Sequence, residues 1–389
     1  MSVQAEVTKH ARTIVLEDEG IATMIFCIKT SSHARQKKKK SNYHHLHTQS
    51  SQLQLSVALS HTHTIAHTLS HQLSISIAMS KQIVVVFGAT GNQGGSVVNT
   101  FLEDPELSKK YHIRAVSRDT NKAAAKALEK KGAEVVQGDV DDASSLPRIL
   151  KGAHSVFLAT FSEYDSSLKE REFRQAKAVA DAAVAAGVKQ IVFSSLPPAS
   201  SLSSNKYDVP GFDSKWAVEQ YIRTLPVKST FFAPGSFMQN FQTWLKPKPV
   251  GDGTYAIFAP YKLTTEMPLI DTAGDSGKWV ASAVEHPDKY NHQVFSAATR
   301  LYTLDEIVKT ISKVYGKTVN LQTISIETYK SFLPAGAQEP LAAMNLYVDE
   351  FGYYGPNTKK LVEESAKHAR GNLTTFEEYL KKDHPFELE

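Results

Sequence analysis

Residues 83–96 read Ile83-Val84-Val85-Val86-Phe87-Gly88-Ala89-Thr90-Gly91-Asn92-Gln93-Gly94-Gly95-Ser96. Five apolar residues, three of them valine, have the composition of a strand buried on both faces. The glycines that follow let the backbone turn sharply into a helix and approach a pyrophosphate closely, since glycine carries no Cβ. The free N–H groups and positive dipole end of that helix attract phosphate charge. The spacing Gly88-x-x-Gly91-x-x-Gly94 differs from the common G-x-G-x-x-G fingerprint, so the flanking elements must carry part of the argument.

Those elements alternate. Ser96 to Glu103 places Val97, Val98 and Phe101 at helical spacing, and His112 to Arg118 reads as a second strand. The residue ending that strand meets the adenosine ribose in a nucleotide-binding fold, where an acid accepts from the 2′-hydroxyl and an arginine accommodates a 2′-phosphate. Here it is Arg118, with Lys122 one turn on, so NADP(H) is expected rather than NAD. A helix over 121–131 and a strand over 134–137 lead to Gly138-Asp139-Val140-Asp141-Asp142, a turn that suits either an adenine pocket or a helix N-cap. A helix over 143–150, a strand over 155–160, a long helix over 170–186 and a strand over 190–195 follow. Five βα units in succession predict a parallel, doubly wound Rossmann sheet.

The chain has 389 residues, 41% of them hydrophobic, enough for this domain and a smaller α+β one. The expected organisation is a low-complexity, disordered extension over 1–78, a Rossmann domain over 79–233 and a smaller carboxyl-terminal domain over 234–389 that exchanges some elements with it. The net charge of +4 resides in the first 80 residues, and the remainder holds 36 residues of each sign. A neutral folded part argues against direct nucleic-acid binding. The extension holds nine of the fifteen histidines and the run Lys37 to Lys40, but its irregular histidine spacing predicts no metal site. The lysine run would suit nuclear addressing, although a solvated charge run is the commoner explanation. Met79, just ahead of the first strand, is the expected natural start of translation. Cys27 is the only cysteine, which fits a reducing, cytoplasmic setting. No apolar run approaches the about 20 residues that a bilayer-spanning helix needs.

Residues 83–97 (IVVVFGATGNQGGSV), 115–128 (AVSRDTNKAAAKAL), 132–142 (GAEVVQGDVDD), 191–197 (IVFSSLP), 212–223 (FDSKWAVEQYIR) and 231–240 (FFAPGSFMQN) together resemble the NmrA-like family of atypical short-chain dehydrogenase/reductases. Within it the chain is most similar to the NADP(H)-binding redox-sensor proteins. The resemblance implies that Gly88, Ala89, Thr90, Gly91, Asn92, Gln93 and Gly94 hold the phosphates and that Arg118 and Lys122 hold the 2′-phosphate. It places Asp139 and Val140 by the adenine and Thr160, Phe161 and Ser162 along the cleft. Lys215, Gly235, Ser236, Phe237 and Met238 would lie near the nicotinamide, and Arg174 stands where a relative has lysine.

The chain departs from an active short-chain reductase at the Tyr-x-x-x-Lys pair, in which lysine lowers the tyrosine pKa for proton exchange with substrate. Lys215 is present, but Gly211 occupies the tyrosine position. Tyr207 and Tyr164 are the displaced phenols to consider, and Ser194 and Ser195 fall where the family's catalytic serine is expected. Lys215 would disfavour the positively charged oxidised nicotinamide unless it turned toward the ribose. The expected function is therefore a redox-responsive regulatory or binding protein, transcriptional regulation included, without efficient turnover. The alternative is an NADPH-dependent oxidoreductase acting on a carbonyl or quinone. A protein partner or small substrate, and a homodimer, are both compatible with the sequence. Farther on, 247–254 reads as a loop, 278–284 as a helix opened by Asp271, and 304–315 as an amphipathic helix. The aromatics Tyr347, Phe351, Tyr353 and Tyr354 suit either a cleft wall or a core.

Overall fold

A computed structural model describes residues 81–388, and the expectations for 1–78, its metal-free histidines and lysine run included, lie outside the described residues. The strands are β1 (Gln82–Val86), β2 (Tyr111–Ser117), β3 (Glu134–Gln137), β4 (Ala153–Leu158), β5 (Gln190–Ser194), β6 (Lys228–Pro234), β7 (Ser236–Phe237), β8 (Lys248–Gly251), β9 (Thr254–Ala259), β10 (Glu266–Ile270), β11 (Val294–Ala297), β12 (Arg300–Thr303) and β13 (Val319–Thr323). Seven of them form one sheet in the order β11-β6-β5-β4-β1-β2-β3, parallel throughout. The chain order reverses between β1 and β4, and a crevice at such a switch point is where this architecture binds ligands. Val84, Val85 and Val86 are fully buried, as the apolar run requires.

The main helices are α1 (Asn92–Glu103), α2 (Ala123–Lys130), α3 (Leu168–Ala185), α4 (Pro210–Arg223), α5 (Thr272–Glu285), α6 (Leu304–Tyr315) and α7 (Ala335–Phe351). Helix α5 starts at Thr272, earlier than the sequence suggests. Asp271 caps it by accepting from the Gly274 N–H at 3.0 Å, and Gly277 lies within it. A Cβ on Gly277 would stand 2.2 Å from Thr100 Oγ1 and 2.5 Å from the Ser96 carbonyl, so the glycine serves close packing on α1. On the same helix Trp279 is fully buried and packs against Phe232, with ring centroids 6.1 Å apart. Truncating such a side chain costs about 3–5 kcal/mol, which fixes α5 on the sheet.

Two short sheets complete the described residues, β12-β10-β7 and β13-β9-β8. The stretch 247–254 contains a hairpin rather than a loop, because Gly251, Asp252 and Gly253 adopt positive φ (+104°, +50° and +70°) and reverse β8 into β9. Helix α6 carries a capping box, Thr303 accepting from the Glu306 N–H and Glu306 accepting in return. Among the described residues no helix is long and apolar enough to cross a membrane.

Candidate nucleotide site

The glycine turn leaves β1 at the switch point. Gly88 has φ +68°, and its carbonyl accepts from the Gly91 N–H at 3.0 Å. A Cβ on Gly94 would stand 2.2 Å from the Gly88 carbonyl oxygen and 2.9 Å from Ala89 Cα, so only glycine lets α1 settle on its own turn. The N-cap, Gly91, offers no side-chain cap and the first turn of α1 holds no acid, so no side chain competes with an anion for the N–H groups of that turn. Thr90, Gly91 and Asn92 are exposed, Ala89 is buried, and Gln93 is held by Ser194, whose hydroxyl donates to Gln93 Oε1 at 2.7 Å.

Arg118 follows directly on β2 and Lys122 caps α2; both are exposed, and neither has an ion-pair partner among the described residues. Asp139 and Val140 are half-buried beyond β3, Asp139 accepting from the Asp141 N–H at 3.1 Å. Capping in this turn falls to Asp142, which accepts from the Ser144 N–H at 3.1 Å. Arg174, on α3, is drawn to the same turn: its guanidinium lies 3.1 Å from Asp141.

The crevice wall beyond β4 is built around an ion pair. Lys215 on α4 is buried, and its Nζ lies 3.1 Å from Thr160 Oγ1, 3.1 Å from Ser162 Oγ and 2.7 Å from Glu172 Oε1. Glu172 on α3 is fully buried and also accepts from Ser162 Oγ at 2.7 Å and from Ser214 Oγ. Thr160, Ser162 and Lys215 are thus brought together, whereas Phe161 between them is 81% exposed. The charge of Lys215 is answered inside the wall by Glu172. Glu172 escapes a reading that takes charged helix residues as solvated. Its position on the buried stripe of α3, Leu168, Glu172, Ala176 and Val179, was the available signal.

Gly235 donates to the Ala297 carbonyl at 2.9 Å, and a Cβ there would stand 2.3 Å from the Pro268 carbonyl, so β6 passes into β7 with backbone against backbone. Ser236 and Met238 are buried, while Phe237 borders a cleft of about 610 Å³ shared with Asn92, Gln239, Asn240 and Trp244. The cleft therefore opens beside the first residue of α1. The aromatic segment does not line it. Tyr354 donates to the Ala233 carbonyl at 2.8 Å and Tyr353 to that of Pro234 at 3.2 Å, and Tyr347 packs on Phe212; all three are core residues.

Of the candidate phenols, Tyr207 donates to Glu350 at 2.7 Å beside Lys206. Tyr164 instead reaches over α4: a Cβ on Gly211 would lie 3.2 Å from its hydroxyl and 3.8 Å from Ser162 Oγ. Burial pushes the Tyr164 phenol up to about 12, and the charge of Glu172 adds to the rise. Ser195 is occupied by Glu219, to which it donates at 2.6 Å. No His, Cys, Asp and Glu cluster among the described residues could hold a metal ion.

The sequence pattern of the NmrA-like family matches residues 80–380. An NmrA-like family domain-containing protein of Dictyostelium discoideum is 31% identical over 312 residues, covering 78% of this chain and 98% of the relative. An NmrA-like family domain-containing oxidoreductase of Penicillium ochrochloron is 28% identical over 276 residues, covering 67% of this chain and 81% of its own. Among solved structures, NmrA, a negative transcriptional regulator in complex with NADP, superposes with a TM-score of 0.67 at 23% identity, covering 78% of this chain and 96% of that one. The chain belongs to the NmrA-like family.

Proposed function

We propose that the chain binds NADP(H) at the β1/β4 switch point and uses it to reduce a carbonyl substrate. The residues present fit the nucleotide. The cradle beneath α1 is one that any Cβ at position 94 would fill, and the two cations past β2 are unpartnered among the described residues. Arg118 and Lys122 would hold the 2′-phosphate, the N–H groups of 92–94 the pyrophosphate, and Thr160 and Ser162 the crevice wall. When bound, the reduced nucleotide supplies a hydride.

The observation that carries reduction over sensing is the Lys215–Glu172 pair at 2.7 Å. A sensor must bind the charged oxidised ring and the neutral reduced ring with different affinities, and a wall whose lysine is neutralised offers little basis for the difference. The oxidoreductase name of the Penicillium relative is in keeping with this reading. A second reading, a nucleotide-responsive binding protein, is favoured by Gly211, which deprives the Tyr-x-x-x-Lys pair of its phenol. NADPH consumption over a panel of aldehydes, ketones and quinones, set beside limited proteolysis of the apo, NADP⁺ and NADPH forms, separates the two. Reduction predicts turnover with indistinguishable digests of the two nucleotide forms. No turnover with distinct digests would establish the sensor.

A further inference from the structure

We propose that Tyr164 is the proton donor of this site, its phenol reaching from the loop after β4 into the space that Gly211 vacates on α4. The inference rests on the reductase reading and names the residue that would complete it. In a Tyr-x-x-x-Lys arrangement the phenol grows from the position four residues before the lysine. Here that position is Gly211, and the point from which its side chain would start is 3.2 Å from the Tyr164 hydroxyl. Any side chain at 211 would press on that hydroxyl, so the glycine and the displaced tyrosine are complementary.

The loop is held firmly enough to aim the group. Arg171 donates to the Glu163 carbonyl at 2.6 Å and to Asp165 Oδ2 at 2.8 Å, pinning the residues on both sides of Tyr164. At the start of α7, a Cβ on Gly336 would come within 2.3 Å of the Tyr164 carbonyl, so a second element grips the same peptide without a side chain between. Preorganisation of this kind is what a positioned acid needs.

The hydroxyl is also free and protonated. Among the described residues it has no hydrogen-bond partner, whereas Tyr207, Ser194 and Ser195 are committed to Glu350, Gln93 and Glu219. The titratable groups acting on it are Glu172 on α3, Tyr329 and Tyr353; burial first and the Glu172 carboxylate second keep the phenol in its neutral form. Tyr164 as a whole is half-buried.

In the step, the substrate carbonyl carbon accepts a hydride from the reduced nucleotide and its C=O π electrons move onto oxygen. The Tyr164 O–H bond breaks, its proton forms the alcohol O–H, and the phenolate recovers a proton from water. The substrate carbonyl would be reduced to the alcohol at the expense of the reduced nucleotide, whose hydride it would have taken.

The test compares the full chain with Tyr164→Phe and Tyr207→Phe. We expect Tyr164→Phe to lower kcat by about 100-fold or more, with NADPH affinity by calorimetry unchanged within about twofold and Tyr207→Phe behaving as the parent. A second readout does not depend on turnover or on the variant being stable enough for kinetics. In parent protein labelled with fluorotyrosine, the Tyr164 fluorine resonance should shift on saturation with NADP⁺, and the Tyr207 resonance should stay. Turnover that survives in Tyr164→Phe, or a Tyr164 resonance indifferent to nucleotide, would overturn the donor assignment alone. Absence of turnover in the parent over the whole panel would overturn the reductase reading and the donor role with it.

Discussion

The Lys215 ammonium lies 2.7 Å from a Glu172 carboxylate that is fully excluded from solvent. Two charges are rarely taken out of water together unless hydrogen bonds satisfy what remains of each, and here Ser162, Ser214 and Thr160 do so. Removing one partner leaves the other buried without compensation. Glu172→Gln should therefore lower the unfolding free energy by about 3–5 kcal/mol, and Glu172→Leu combined with Lys215→Met should recover most of that loss. Urea denaturation of the three proteins checks both statements. A cost for Glu172→Gln below about 1 kcal/mol, the range of exposed pairs, would mean that water enters the wall.

Nucleotide preference should reside in two side chains. Arg118 and Lys122 are free of ion pairs among the described residues, so a 2′-phosphate would meet them without displacing a carboxylate. A charge-assisted bond contributes about 1.5–3 kcal/mol, and Arg118→Ala should weaken NADP binding by about tenfold or more. NAD binding should change little, and calorimetry with the two nucleotides measures the contrast. Equal losses for both would place Arg118 elsewhere than at the 2′-phosphate.

The glycines of the turn are not equivalent. Gly94→Ala puts a methyl 2.2 Å from the Gly88 carbonyl oxygen, a backbone atom that cannot rotate away, whereas a methyl on Gly95 would find its nearest neighbour at 3.5 Å. Overpacking of the first kind costs about 1–3 kcal/mol. We expect Gly94→Ala to melt earlier and to lose nucleotide affinity, and Gly95→Ala to do neither, because alanine favours the helix. Thermal melts with and without NADP distinguish the pair.

Much of the sheet is legible because β1 and β5 are mostly apolar, β2 and β4 keep apolar residues interleaved with His112, Arg114, His154 and Ser155, and the glycine turn announces where the crevice opens. The strands beyond Pro234 carry weaker signals. β11 has only four residues, and β8 contains Pro249 and Gly251, which read as loop until positive φ values close the hairpin. At the site, Arg118 and Lys122 are visible because strand order places them. Glu172 is not, since it matters through a neighbour on another element, Lys215 on α4; Tyr164 is legible only as one of two displaced phenols, because its place beside the empty side of Gly211 is set by packing. Local pattern carries no information about such pairings.

The last prediction concerns acid. Asp104 ends α1 and accepts from Arg370 Nε at 2.7 Å, from the Glu106 N–H at 2.9 Å and from the Leu107 N–H at 3.1 Å. The bond from Arg370 is the main cause that holds its carboxyl down at about 2, against 3.8 for a free aspartate, with the two backbone bonds assisting and partial burial opposing. A folded pKa below the unfolded one means that the unfolded chain binds the proton first as pH falls. The stabilisation is then complete above 3.8 and is lost as pH drops through about 2. Arg370 also reaches Glu285 at 2.6 Å and Glu106 at 3.1 Å, so Arg370→Ala releases the contact between the α1 end and α5. Melting temperatures of parent and variant should differ by a constant amount from neutral pH down to about 4 and converge toward about 2. A gap that widened on acidification, or that closed already near pH 6, would show that a group other than Asp104 sets the acid response of this corner.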